Sequence, residues 1–67
     1  MTTYLFTMMM LLQNAKADMH MQERIDLARI ECGMDQRLQH QLDIKQQALD
    51  EAVSRNLTKI MEIARNN

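Results

Sequence analysis

One glycine and no proline in 67 residues leave this chain little to build with except helix. Proline kinks or breaks a helix, and glycine is the residue that most readily ends one in the left-handed conformation. Gly33 is therefore the one strong punctuation mark, and it falls near the middle of the chain. Glutamine, leucine, methionine and alanine, all good helix formers, recur on both sides of it. No β-branched alternation runs between turn residues, so strand signals are missing. The expected class is all-α, a small helical domain.

The approach to Gly33 supports this. Met21, Ile25, Ala28 and Cys32 recur at spacings of four, three and four, which is one helical stripe. Asp18 is placed to cap the start of that helix, since its carboxylate can accept from free backbone N–H groups. Asp35 is placed to cap the next. The pattern predicts a helix over about 19–32, a tight turn at 33–35 and a new helix after it.

Before Asp18 lies the segment MTTYLFTMMMLLQNAKA. Tyr4 to Leu12 is apolar apart from Thr7, far short of the roughly 20 residues that span a bilayer. Ala15-Lys16-Ala17 has the small-x-small form of a signal cleavage site, but no Lys or Arg precedes the apolar run. The expected organisation is an apolar first helix or arm over 1–17 and a small helical domain over 18–67.

After Asp35 two readings stay open. In one, a single helix runs to about Arg65. Leu38, Leu42, Leu49, Val53, Leu57, Ile60 and Ala64 then share a stripe spread over roughly 100° of the circumference, interrupted by Gln46. Strict apolar heptads break at Lys45, Asn56 or Lys59, depending on register. The product is a helical hairpin with one long C-terminal helix. In the other reading the first helix stops at Leu42 and Asp43 takes a left-handed turn, which Asp tolerates better than most residues. Ile44 then plugs a core formed with Leu38, Leu42, Leu49, Val53, Leu57 and Ile60, and Lys45 to Ser54 forms a second short helix.

The bent form resembles the helix-turn-helix of the lambda-repressor and Cro group of phage regulators. Apolar residues fall where that pattern has them, at Leu38, Leu42, Ile44, Leu49 and Ala52. Gln46 and Gln47 stand at the start of the recognition helix, and Met21 to Leu27 looks like the opening of a Cro-type chain. The resemblance implies a transcription regulator that binds operator DNA as a dimer. Gln46 and Gln47 would read adenine edges in the major groove. Lys45, Arg55 and Lys59 would hold phosphates. Gln47-Ala48-Leu49-Asp50, following the Gly33 turn, is also similar to the signature of small aspartyl-phosphate phosphatases built as two-helix hairpins. The competing expectation, from the residues alone, is a protein-interaction module working through an amphipathic helix, such as an inhibitor or an assembly subunit.

Composition narrows the rest. A net charge of -1 gives DNA no overall attraction, so any basic face must come from segregation in the fold. Cys32 is alone and cannot form an internal disulfide, and a lone thiol suits a reduced, cytoplasmic setting. His20, Cys32 and His40 lack metal-ligand spacing, so neither metal nor cofactor is expected. A domain this small offers little concave pocket, hence no small-molecule substrate and no enzyme is expected. A chain of this length has a thin core and gains stability by pairing, so a homodimer is expected.

Overall fold

The computed structural model describes residues 2–66, so Met1 and Asn67, the outer ends of the expected 1–17 and 18–67 segments, lie outside the described residues. The chain is two helices, α1 over Thr2–Cys32 and α2 over Gln36–Asn66. They fold back on each other as an antiparallel hairpin with extents of 51 × 15 × 12 Å. A 31-residue helix rises about 46 Å, so both helices run nearly the full length of the rod.

The turn forms as its residues dictate. Gly33 has φ +54°, the left-handed conformation that closes α1. The Asp35 amide donates to the Cys32 carbonyl at 3.1 Å. Asp35 Oδ1 then accepts from the backbone amides of Arg37 at 3.0 Å and Leu38 at 3.2 Å, which is an N-cap. The Gln39 side-chain amide reaches back to the Gly33 carbonyl and ties α2 to the loop.

The cap expected at Asp18 is absent, and of the two readings open after Asp35 the single long helix is the one that forms. Asp18 caps nothing: α1 runs unbroken through it, and Asp18 lies half-buried in the helix interior. The turn at Asp43 and Ile44 does not form either. α2 is continuous there, and no non-glycine residue has positive φ among the described residues. Nothing in Lys45 to Ser54 outweighs the cost of leaving helix at a residue with a Cβ.

What holds the hairpin together is a seam with a seven-residue repeat. On α1 it runs Tyr4, Met8, Leu11, Ala15, Asp18, Gln22, Ile25, Arg29, Cys32. On α2 it runs Gln39, Leu42, Gln46, Leu49, Val53, Asn56, Ile60, Ile63. These residues, with Ala28 and Ala52, are the half-buried and buried ones among the described side chains. Alternating steps of four and three on both helices are the geometry of a left-handed coiled coil.

This repeat corrects the expected core. Leu42, Leu49, Val53 and Ile60 are in it, but Leu38, Ile44 and Leu57 are exposed at 45%, 56% and 50%. Met21, expected on the α1 stripe, gives way to Gln22. The reason is period. A straight helix drifts about 20° per heptad against a 3.5-residue repeat. A stripe read at 3.6 residues arrives at Leu57 and Ala64, whereas the seam continues from Leu42 and Leu49 to Asn56 and Ile63. The interruption expected at Asn56 is real in chemistry but not in geometry, because the seam carries polar side chains and keeps its repeat.

Candidate functional site

The polar seam residues form a clasp. Gln22 Nε2 donates to Gln46 Oε1 at 2.8 Å, and Gln46 Nε2 donates back to Gln22 Oε1 at 2.6 Å. Each amide spends its second N–H on an aspartate one turn along its own helix, Asp26 or Asp50, both at 2.9 Å. The same glutamine-x-x-x-aspartate spacing occurs on both helices, and an amide pair in a seam satisfies itself only in one register. Asn56 adds a second fix: 8% exposed, it donates from Nδ2 to the Leu11 carbonyl at 2.9 Å. Arg29 and Asp43 close a third link at 2.9 Å nearer the turn. A single polar residue in a coiled-coil seam sets register at a cost in stability. Here three cross-helix contacts do so.

The seam leaves two flanking sides. One groove is lined by Met21, Arg24, Ala28, Lys45 and Ala48. A second hollow on the same side, toward the open end of the hairpin, is lined by Ala17, Asp18, Ala52, Arg55 and Lys59. The floor of this side is small, and cations outnumber acids along it. The other side is lined by Ala15, Asp18, Met19, Asp50, Val53 and Leu57. Rows seven apart extend it: Leu5, Leu12, Met19 and Asp26 on α1, Asp43, Asp50, Leu57 and Ala64 on α2. On both helices this side is apolar toward the open end and acidic toward the turn.

The residues expected at a DNA interface divide across this frame. Lys45, with Arg24 from α1, lines one hollow, and Arg55 and Lys59 line a second on the same side of the seam. Gln46 does not join them, because it is locked in the seam by Gln22. Gln47 is exposed, about 100° further round α2, and so points away from Gln46. Ile44, expected inside, lies on the outer surface.

No family model, curated protein or solved structure matches the chain.

Among the described residues, no three His, Cys, Asp or Glu side chains are placed to hold a metal ion. Among the described residues, too, no helix is long and apolar enough to cross a membrane. Cys32 is half-buried and donates from Sγ to the Arg29 carbonyl at 3.3 Å, in the manner of a small core side chain. The Gln22–Gln46 clasp was hidden from sequence reasoning because glutamine at helical spacing reads as a solvated position. The repeated Gln-to-Asp spacing was the signal that could have found it.

Proposed function

We propose that this protein is a helical-hairpin interaction module that works by presenting apolar helix surface to a protein partner. One observation carries the reading. Among the described residues only Leu11, Ile25 and Leu49 are buried apolar side chains, while fourteen large apolar side chains are 45% or more exposed. Large exposed apolar patches on a protein mark binding surfaces. The N-terminal turns of α1 make the point most strongly. Leu5, Phe6, Met9, Met10 and Leu12 are all exposed and spread round the helix. A helix apolar on every face is one that something covers.

The test is native co-purification of the tagged full chain, with a gel shift beside it. The expected result is a complex of defined stoichiometry that is weakened by Met19→Glu, and no shift of duplex DNA at physiological salt. A chain recovered free of protein that shifts duplex DNA, with affinity falling steeply as salt rises, reverses the assignment in favour of the cationic groove.

A second reading has one observation in its favour. The aspartyl-phosphate phosphatases that Gln47-Ala48-Leu49-Asp50 resembles are two-helix hairpins, and so is this chain. On that reading the covering partner is a protein carrying a phosphorylated aspartate, approached by the exposed Gln47. Accelerated phosphate loss from such a partner on adding the hairpin, abolished by Gln47→Ala, supports it. An unchanged rate removes it.

A further inference from the structure

The accessible surface of the hairpin is larger than a compact solitary chain of this mass would show. A globular protein of 7.9 kDa exposes about 4,400 Å², and this hairpin exposes 5724 Å², about 1,300 Å² more. In specific interfaces each partner buries about 800 Å², and in obligate dimers 1,000 Å² or more. The excess is thus the size of one good interface per chain.

Resting on the interaction reading above, we infer that the occupant is a second copy of this chain. It seats on the side of the seam that carries Met19 and Leu57, and the product is a two-fold, four-helix body. Charge selects the side. A two-fold interface is isologous: each patch must tolerate meeting itself. On the alanine-floored side, the patch holding Arg24, Lys45, Arg55 and Lys59 would face the same cationic patch of the copy. Like-charge juxtaposition across an interface is strongly disfavoured. On the opposite side the open-end half offers Leu5, Leu12, Met19, Leu57 and Met61, all 50% or more exposed and none of them charged.

Position then selects the orientation. Of the acids of this side, Asp26 and Asp43 belong to the half nearer the turn, and Asp18 and Asp50 lie at mid-rod. A two-fold axis across the rod, through the open-end half, lays apolar half on apolar half. It carries the two aspartate halves away to opposite ends. The cationic grooves stay on the outside of the pair and remain available.

Two methionines two residues apart make the discriminating pair, because they lie on opposite sides of the seam. Met19 is 67% exposed and Met21 is 45% exposed, so glutamate at either leaves the hairpin's own seam intact. Light-scattering mass across a dilution series reads the result, with helicity followed by circular dichroism. The expected mass for the full chain is twice 7.9 kDa at micromolar concentration. Met19→Glu and Leu57→Glu should each weaken pairing at least tenfold, while Met21→Glu should leave it within about twofold. A single-chain mass at tens of micromolar overturns the inference. So does pairing that Met21→Glu breaks and Met19→Glu spares, or a mass that grows beyond two copies. A chain that is single on its own but held by another protein through Met19 sinks this inference and leaves the interaction module standing.

Discussion

Removing the glutamine clasp gives the sharpest check on how this hairpin is held. Gln22 and Gln46 exchange two hydrogen bonds across the seam, at 2.8 and 2.6 Å. Each such bond contributes about 0.5–1.5 kcal/mol net. Gln46→Leu deletes both and leaves the half-buried Gln22 amide without its cross-helix partner. Partial burial of the new leucine offsets some of that loss, so the single change should cost about 1–2 kcal/mol. Gln22→Leu should cost a similar amount by the same reasoning. The double variant differs in kind, because two leucines meet in a seam position and no amide is stranded. Its stability should lie within about 1 kcal/mol of the parent, or above it, as when polar pairs in cores are replaced by packed apolar ones. The coupling energy is then about 2 kcal/mol, well beyond the 0.3–0.5 kcal/mol of independent sites. Urea unfolding followed by circular dichroism measures it, at one chain concentration because association adds to apparent stability. Additive single changes would refute the reasoning, since they would mean that the two amides face solvent rather than each other.

Three shorter predictions follow from other positions. Ile44→Lys should change stability by no more than about 0.5 kcal/mol, because the side chain is 56% exposed; a loss of several kcal/mol in a thermal melt would restore the bend at Asp43. Gly33→Ala should cost about 1–2 kcal/mol through its φ of +54° alone, as no atom lies within 4 Å of the added Cβ, and chemical denaturation reads this directly. Asn56→Leu should raise the midpoint of thermal unfolding by exchanging an 8% exposed amide for packed apolar surface; the Leu11 carbonyl keeps its bond within α1, so nothing buried is orphaned.

Much of the architecture was legible in the residues themselves. Helix content, the turn at Gly33 and the cap at Asp35 are local matters of backbone strain and side-chain reach, and they need no knowledge of what packs where. Continuity through Asp18 and Asp43 was not legible. Either aspartate could cap or turn, and only the cross-helix seam, which draws residues 2–32 and 36–66 into one repeat, rewards keeping both helices whole. Core membership was legible by half. Leu42, Leu49, Val53 and Ile60 satisfy both the straight 3.6-residue stripe and the 3.5-residue seam. Leu38 and Leu57 satisfy only the first, while Gln46 and Asn56 hold seam positions without the apolar side chains that would have marked them. The basic residues were nameable in advance, but their gathering on one side of the seam depends on which faces the two helices turn toward each other.

The sequence by itself decided that this chain is helix, turn and helix, because one left-handed glycine and one capping carboxylate act on their nearest neighbours. Tertiary structure alone decided which faces meet. A glutamine reads as solvated until another glutamine stands opposite it, and that partner lies 24 residues away along the chain.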